Sequence, residues 1–315
     1  MTEISQDDLC KLLGSGPRKA HLVGVAGSGM SGLARLLAQR GHTVTGSDLR
    51  EDSDPDALGL RRPGIQWFRG HSPDHIVNPD FVSYSSAISN DNPELLEAQR
   101  RGIPIVRRAR VLAALVAPQR GVVIAGTHGK TTTTAMIAHI LRAGGKAPSF
   151  YVGALVPDLE GNAAVGSGEH FVIESDESDG TLSEFRPYDL VILNIEAEHL
   201  DFYRNLESIE RAFESLARSA TRRVIFCADD AGAARVGFTL KNGIAYSVEG
   251  SGFGVQDSDV GRVPSRGVEG VSVSWRASDI QQKEDRTSFK VWHEEKCLGN
   301  VRLMIPGVHN VSNAL

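Results

Sequence analysis

A turn that carries a lysine and several threonines lies near the middle of the chain. Residues 126–131 read Gly-Thr-His-Gly-Lys-Thr, after the apolar run 121–125 and before a threonine-rich stretch with helical spacing. The amides of a glycine turn can surround phosphate oxygens, a lysine can neutralise the β- and γ-phosphates, and a threonine hydroxyl can bind Mg²⁺. The pattern therefore predicts a phosphate loop for ATP. The common G-x-x-x-x-G-K-[ST] spacing would place a glycine where Ile124 stands, so this loop is shorter. We expect the nucleotide to contact Gly126, Thr127, Gly129, Lys130, Thr131 and Thr132, with Lys130 catalytic and Thr131 also a metal ligand.

A second glycine motif lies near the N-terminus. Residues 27–32 (Gly-Ser-Gly-Met-Ser-Gly) stand between a predicted strand at 20–25 and a predicted helix at 31–40, and Asp48 ends the next predicted strand. Such a turn places helix amides against a diphosphate, and the aspartate can accept a hydrogen bond from a ribose hydroxyl. We therefore expect a nucleotide-diphosphate site, although the motif does not separate NAD from a UDP-sugar and could simply pack a helix on a strand. The predicted contacts are Gly27, Ser28, Gly29, Met30, Ser31 and Asp48.

Acidic residues follow two apolar runs in the second half of the chain. Residues 174–180 come after the run 170–174, and residues 194–201 come after the run 189–195. Carboxylates at neighbouring strand ends are suited to hold Mg²⁺ beside a phosphate loop. Glu174 is the predicted metal ligand, while the acids after it are expected to shape the loop or to bind water. A solvated acidic turn is the alternative.

The predicted elements place these motifs on an α/β fold. Strand and helix patterns alternate over about the first hundred residues and begin again at 121, which predicts parallel, doubly wound sheets. From about 248 to 302 the residues alternate in polarity, which predicts antiparallel hairpins beside the parallel sheet.

Composition sets further limits. The 315 residues, 41% of them hydrophobic, favour two domains, and a net charge of −5 gives no reason to expect a nucleic-acid partner. Cys10, Cys227 and Cys297 are far apart and odd in number, which argues against disulfides and a cysteine zinc site and favours a cytoplasmic location. The polar, acidic N-terminus and the lack of a long apolar run argue against a signal peptide and a membrane protein.

The shortened G-T-H-G-K-T-T loop resembles that of the Mur ligase family, and His128 at its third position is similar to the members that add L-alanine. The resemblance implies a Rossmann-like UDP-sugar-binding domain over residues 1–108. It also implies a P-loop NTPase-like central domain over 109–315, with an antiparallel β insertion and an incomplete C-terminus. Because the chain stops just after a helix begins at 306–315, we expect the family's amino-acid-delivering domain to be missing. The fragment would then bind substrates without ligating them alone.

The same resemblance implies roles for individual residues. Residues 194–201 look like the family's N-I-x-x-[DE]-H-x-D segment, in which His199 would help to hold a second Mg²⁺, with Mn²⁺ as an alternative metal. Residues 306–315 are similar to a G-x-H-N-x-x-N-A segment, so His309 and Asn310 would contact the adenine and ribose of ATP.

Three further positions also rest on this resemblance. His71 and Ser86 lie in stretches similar to those that line the family's UDP-sugar pocket, although both could simply end a strand or open a turn. His128 would touch the carboxylate of the sugar substrate.

The activity implied is ATP-dependent amide formation between UDP-N-acetylmuramate and L-alanine through an acyl phosphate, with Lys130, His128, Glu174 and His199 as catalytic residues. A ligase that attaches a ready-made tripeptide in murein recycling is the alternative within the family, and the Gly-Ser-Gly-Met-Ser-Gly turn favours alanine. An NAD-dependent dehydrogenase and a non-catalytic nucleotide-binding module are the alternatives of other classes. The oligomeric state is left open.

Overall fold

The computed structural model describes residues 4–50, 60, 63–175, 181–198, 202–248 and 273–315. The chain is a mixed α/β protein, as predicted, and it divides into two compact units. The first unit combines residues 1–120 with 137–173, and the second combines 121–136 with 174–315. Among the helices in the described ranges, none combines the length and the apolar character that a membrane crossing requires.

The first unit contains a parallel sheet of five strands. These strands are β1 (Lys19–Val23), β2 (Thr43–Asp48), β3 (Ile65–Arg69), β4 (Phe81–Tyr84) and β5 (Ile105–Arg107). Their order is β3-β2-β1-β4-β5, and every neighbouring pair is parallel. The order reverses between β1 and β4, and the loops that leave such a reversal form the crevice in which α/β sheets bind ligands.

Among the described residues, four α-helices precede, connect or follow these strands. They are α1 (Gln6–Gly14), α2 (Ser28–Gln39), α3 (Pro93–Arg100) and α4 (Arg108–Val116). Helix α2 begins three residues before the predicted start at Ser31, because Gly27 is extended (φ −66°, ψ 146°) and serves as the N-cap inside the glycine motif. Its apolar stripe, with Leu33 and Leu37, is fully buried. Gly41, at φ +85°, ends the turn that follows α2.

The phosphate-loop region has the predicted order of strand, loop and helix. Strand β6 (Arg120–Ala125) leads into the loop, and helix α5 (Lys130–Ala143) begins at the lysine of the motif. Val123 and Ile124 of β6 have no exposed surface. A strand buried on both faces reads as a continuous apolar run, which is why this strand was visible in the sequence.

Three strands follow α5 along the chain. They are β7 (Ser149–Val156), β8 (Gly161–Ala164) and β9 (His170–Glu174). Strand β7 pairs antiparallel with β8 and parallel with β9. All but Glu174 of these residues belong to the first unit.

The second unit contains the remaining strands. They are β10 (Asp189–Ile192), β11 (Arg223–Cys227), β12 (Gly243–Val248), β13 (Val273–Gln282), β14 (Thr287–His293) and β15 (Lys296–Leu303). Their order, with β6, is β15-β14-β13-β12-β11-β10-β6. Pairing is parallel from β6 to β13 and antiparallel from β13 to β15. The predicted hairpins are therefore confirmed for β13 to β15, and residues 249–272 lie outside the described residues.

In the described part of the second unit, three α-helices follow β10 along the chain: α6 (Leu206–Ser219), α7 (Ala231–Gly237) and α8 (Val308–Ala314). Helix α6 is amphipathic and buries Ile209, Phe213, Leu216 and Ala217. The side chain of Asn205 caps its start by accepting a hydrogen bond from the amide of Ser208.

Candidate active site

The phosphate loop is closed around its own lysine. The ammonium of Lys130 donates to the carbonyl oxygens of Gly126 at 2.6 Å and Thr127 at 3.1 Å. Gly126 (φ +146°) and Gly129 (φ +85°) adopt backbone conformations that favour glycine, so the loop could not hold this shape with other residues at those positions. Thr132 lies half-buried in the first turn of α5.

A hydroxyl and a carboxylate meet at the start of α5. The Thr131 Oγ1 donates to a carboxylate oxygen of Glu174 over 2.9 Å. Both side chains offer oxygen atoms, which are the ligands that Mg²⁺ prefers. They also lie next to the lysine that would meet the nucleotide phosphates. This pair therefore fits the implied metal. The second predicted ligand, His199, lies outside the described residues. Within the described ranges, no group of three His, Cys, Asp or Glu side chains has the geometry of a metal site.

Residues 194–196, just after β10, hold the phosphate loop from the other side. The side-chain oxygen of Asn194 accepts from the His128 amide at 2.7 Å, and its side-chain nitrogen donates to the His128 carbonyl at 3.1 Å. The Thr127 amide donates to the Asn194 carbonyl, and the Thr127 hydroxyl accepts from the Glu196 amide. Asn194 was quoted in the sequence only as part of the motif around His199, and its role as a clamp on the loop was missed.

The His128 side chain points toward acidic groups rather than into the loop. Its Nε2 lies 3.5 Å from a carboxylate oxygen of Glu198 and 3.8 Å from one of Glu196, and all three side chains are exposed. The predicted contact of His128 with a substrate carboxylate stays a prediction.

A cavity of about 340 Å³ opens beside the phosphate loop. It is lined by residues of the loop, of the segments after β10 and β11, of β12 and of α8, including His128, Gly129, Asn194, Asp229, His309 and Asn313. His309, predicted to contact the nucleoside, lines this cavity. Asn310 is buried, and its side-chain nitrogen donates to the Pro306 carbonyl at 2.7 Å, so it braces the start of α8.

Asn313 is the residue of α8 that reaches the loop itself. A Cβ at Gly129 would lie only 2.5 Å from its side-chain oxygen, so the side chain packs directly on the glycine. Asn313 is the second asparagine of the G-x-H-N-x-x-N-A segment. This asparagine was the feature of the sequence from which its role could have been predicted.

Two half-buried aspartates shape the floor of this cavity. Asp230 accepts hydrogen bonds from the amides of Ile195 and Ala233, and Asp229 accepts from the amide of Val248. Burial raises the pKa of both carboxyls, although the amide hydrogen bonds act in the opposite direction. Their hydrogen bonds fix the segments that line the cavity.

In the first unit, the glycine motif forms the N-terminal turn of α2. Asp48 does not face outward as a lone acceptor: one of its oxygens accepts from the Ala26 amide at 2.9 Å and the other from the Arg50 amide at 3.0 Å. The carboxylate therefore fixes the entrance of the glycine turn. Its predicted bond to a ribose would be additional to these two.

The strands β7 and β8 brace this turn. The Tyr151 hydroxyl donates to the Gly29 carbonyl at 2.9 Å, and the Asn162 side chain donates to the Ser28 carbonyl at 2.7 Å. A Cβ at Gly29 would meet a guanidinium nitrogen of Arg108 at 2.1 Å, so only glycine leaves room for this arginine beside the turn. These contacts could not be predicted from the sequence, because the partners lie about 80 to 130 positions away along the chain.

The remaining predicted positions differ in accessibility. The side chains of Met30 and Ser31 are buried, and the Ser31 amide donates to the Gly27 carbonyl at 2.8 Å. Ser86 is exposed in the turn after β4, and His71 follows β3 and contacts the hydroxyl of Ser47.

Comparison with known proteins agrees with this geometry. Residues 19–120 match the Mur ligase family catalytic domain, and residues 124–315 match the Mur ligase middle domain. This chain belongs to the Mur ligase family. The predicted arrangement of a Rossmann-like part followed by a P-loop-like part is the arrangement of this family and is confirmed.

Individual relatives in the family are similar over nearly the whole chain. A UDP-N-acetylmuramate–L-alanine ligase from Sulfurihydrogenibium is 39% identical over 95% of this chain and 60% of its own length. The crystal structure of the UDP-N-acetylmuramate-alanine ligase from Thermotoga maritima is 30% identical, with a TM-score of 0.78, over 94% of this chain and 63% of that one. A murein peptide ligase from Psychrobacter arcticus is 25% identical with a TM-score of 0.74, over 95% of this chain and 63% of that one. The chain thus spans about 60% of the length of the curated relatives it matches.

Proposed function

We propose that this chain provides the UDP-sugar-binding and ATP-binding parts of a ligase that joins L-alanine to UDP-N-acetylmuramate in peptidoglycan precursor synthesis. The observation that carries the proposal is the hydrogen-bonded pair of Thr131 and Glu174 beside Lys130, which fits Mg²⁺ next to a triphosphate. Membership of the Mur ligase family and the names of the relatives support it. The pair of Thr131 and Glu174 favours a ligase over a dehydrogenase, because a dehydrogenase would leave this pair without a role.

The proposed reaction has two steps. The lactyl carboxylate of the sugar attacks the γ-phosphorus of ATP, ADP leaves, and an acyl phosphate forms. The amine of L-alanine then attacks the acyl carbon, inorganic phosphate leaves, and the amine loses a proton. Phosphoryl transfer depends mostly on positioning and on stabilisation of charge, which are the two things that this site can supply.

Each predicted site residue of the second unit has a role in this proposal. Lys130 exchanges its loop carbonyls for phosphate oxygens and offsets their negative charge. Thr131 and Glu174 would hold Mg²⁺, for which Mn²⁺ could substitute, and the metal would neutralise charge on the phosphates. His128 stays the proposed contact to the sugar carboxylate, and His309 the proposed contact to the nucleoside. His199 and Asn310 keep their proposed roles as second metal ligand and as nucleoside contact.

The diphosphate of the UDP-sugar would bind to the glycine turn of the first unit. The start of α2 offers the main-chain amides of residues 28 and 29, whereas the Gly27 amide already donates to the Gly24 carbonyl. The Tyr151 and Asn162 contacts hold the carbonyls of this turn away from the ligand. Asp48, His71 and Ser86 are the other proposed contacts. We also propose a cytoplasmic location, where ATP is supplied, and the free cysteines agree with a reducing compartment.

The murein tripeptide is the second candidate for the amine, because the Psychrobacter murein peptide ligase shares this fold. Because we expect this chain alone not to ligate, phosphate release is measured in the whole ligase of which we propose it to be a part, with UDP-N-acetylmuramate, ATP and either L-alanine or the tripeptide. Turnover with L-alanine alone supports the proposal, and turnover with the tripeptide alone overturns it in favour of the recycling reaction.

Nucleotide binding tests the proposal directly. We expect Lys130→Ala to reduce ATP–Mg²⁺ affinity by at least about tenfold in calorimetry, because a charge-assisted contact to phosphate is lost. Lys146→Ala is the matched control, since Lys146 is an exposed lysine just beyond the same helix. Equal ATP affinity in the Lys130 variant and the unaltered protein would rule out a phosphate loop.

A further inference from the structure

A buried carboxylate in the first unit has no part in the chemistry described so far. Glu94, the second residue of α3, has no exposed surface. It accepts hydrogen bonds from the Ser47 hydroxyl and from Nδ1 of His75 at 2.6 Å. Two more imidazoles lie close to it: Nδ1 of His71 at 3.4 Å and Nε2 of His21 at 3.5 Å. One carboxylate is thus surrounded by three histidines and a serine.

This carboxylate is ionised at neutral pH. Burial by itself raises its pKa, but hydrogen bonding from His21, Ser47 and His75 outweighs that effect and lowers the pKa of Glu94 to about 2. An ionised carboxylate has no proton to donate and can only accept hydrogen bonds.

The direction of the next hydrogen bond follows from that charge. Ser47 has a single hydroxyl proton, and it must go to Glu94. The Ser47 oxygen lies 2.9 Å from Nδ1 of His71 and can therefore only accept there. His71 must carry a proton on Nδ1, and in a neutral imidazole this leaves Nε2 as an acceptor.

The position of Ser47 and His71 connects this chain of bonds to the glycine turn. The main-chain oxygen of Ser47 accepts from the amides of Gly24 at 2.8 Å and Val25 at 3.0 Å, which lead into the turn. His71 follows β3 at the carboxyl end of the same parallel sheet, and 14% of its side chain is exposed. It is thus open to a ligand while its Nδ1 is held from the protein side.

We propose that Glu94 is a positioning residue of the UDP-sugar site, which acts through Ser47 to fix His71 with its proton on Nδ1. Nε2 of His71 then accepts a hydrogen bond from a donor of the nucleotide, either the imide N–H of the base or a ribose hydroxyl. This inference rests on the proposed function for the identity of the ligand. The protonation pattern itself rests only on the contacts within the protein.

The protonation pattern can be tested without any ligand. ¹⁵N NMR of the histidine side chains, recorded above the ordinary imidazole pKa of about 6.5, distinguishes the two neutral forms. We expect His71 to carry its proton on Nδ1 in the unaltered protein and to become a mixture of both forms in Glu94→Gln. If Glu94→Gln fails to fold, Ser47→Ala should produce the same mixture. A proton on Nε2 of His71 in the unaltered protein would overturn the proposal.

The ligand contact needs a double-mutant cycle. We expect Glu94→Gln to weaken binding of UDP-N-acetylmuramate roughly three- to tenfold in calorimetry, the range of one hydrogen bond, and to leave ATP–Mg²⁺ affinity unchanged. In a His71→Ala background the same change should have no further effect. Glu97→Gln is the matched control, because Glu97 lies on the same helix but pairs with surface arginines. An undiminished effect of Glu94→Gln in the His71→Ala background would show that Glu94 acts only on the fold.

Two UDP analogues distinguish the sources of the donor. If His71→Ala no longer weakens binding of an analogue whose base is methylated at the imide nitrogen, the base is the donor to His71. If His71→Ala no longer weakens binding of a 2′-deoxyribose analogue, the 2′-hydroxyl is the donor. If the unaltered protein binds no UDP-sugar at all, the proposed function fails and the ligand contact fails with it. The NMR result decides the protonation of His71 separately.

Discussion

Two side chains of different kinds form the metal site that we propose at the start of α5. Thr131 would supply a neutral oxygen and Glu174 a charged one, and a hydrogen bond of 2.9 Å joins these two oxygens. A cation could replace this hydrogen bond without moving either residue far. The pair therefore suits the proposed Mg²⁺.

Thr131→Val tests this pairing, because valine keeps the shape of threonine without its hydroxyl. We expect Mg²⁺-dependent ATP affinity to fall on the order of tenfold, while binding of nucleotide without metal changes little. Thr134→Val on the same helix is the control, since the buried Thr134 hydroxyl has no hydrogen-bond partner in the described part of the chain. Equal losses with and without Mg²⁺ would contradict a metal role.

Glu94 should leave a signature in acid stability. Its pKa lies at about 2 in the folded protein against an ordinary 4.5, so its stabilising effect is complete above pH 4.5 and is lost as the pH falls toward 2. The free energy of unfolding of the unaltered protein should therefore lose about 3 kcal/mol more than that of Glu94→Gln across this window. Urea titrations at a series of pH values measure the difference, and parallel pH curves for the two proteins would contradict it.

At this scale the sequence indicated the residues of the predicted loop and missed contacts between distant positions. Lys130, Thr131 and the loop glycines are neighbours in the chain, so their types and spacing were enough to suggest a phosphate loop, and their roles stay predictions. Glu174 was reached because it ends an apolar run. Tyr151, which braces the glycine turn, could not be predicted because its partner Gly29 lies 122 positions away.

Among the elements, α6 shows how a helix is held by its buried face. The buried face of α6 carries Ile209, Phe213 and Leu216. Glu207 and Arg211 form an ion pair on its exposed face. Burial of the apolar face supplies most of the stabilisation, and exposed i,i+4 pairs add little.

Replacing residues on the two faces should separate these contributions. Phe213→Ala is expected to lower the free energy of unfolding by about 3–5 kcal/mol, because Phe213 is fully buried and its loss leaves a cavity. Arg211→Ala on the exposed side should change it by less than about 1 kcal/mol. Chemical denaturation measures both, and similar losses for the two variants would contradict the assignment of the buried face.

Long apolar or amphipathic elements were the ones that the sequence predicted well. Strands β1, β6, β9 and β10 and helix α2 all show clear periodic or continuous apolar patterns. Strand β3 was missed, because Ile65–Arg69 alternates weakly and is only partly buried. The short helix α7 was missed because small residues such as Gly232 and Ala233 pack closely but carry little hydrophobic signal.

At the scale of the whole molecule, the two candidate sites lie in different compact units. The glycine turn, Asp48 and His71 belong to the first unit, while the phosphate loop, Glu174 and the cavity belong to the second. The predicted boundary after residue 108 remains a prediction; the compact division follows contacts rather than chain order, and it places 137–173 with the first unit.

This division predicts separate patterns of ligand protection. At concentrations near 100 times the dissociation constant, a ligand stabilises the part that it binds by about 2.7 kcal/mol. We expect UDP-N-acetylmuramate to slow amide hydrogen exchange in the region 20–48 and ATP–Mg²⁺ to slow it in the region 121–136. Hydrogen-exchange mass spectrometry with each ligand alone makes the comparison, and protection of the same region by both ligands would contradict two separate sites.

The bonds between Lys130 and the carbonyls of Gly126 and Thr127 have a consequence for selectivity among anions. The ammonium already contacts two protein oxygens, so an anion that binds there gains only the difference between its own attraction and theirs. A singly charged ion such as chloride offers little beyond what two carbonyls provide, whereas a triphosphate offers several oxygens and greater charge. If the loop binds ATP as proposed, we therefore expect it to discriminate against small anions and to release its lysine to a polyphosphate.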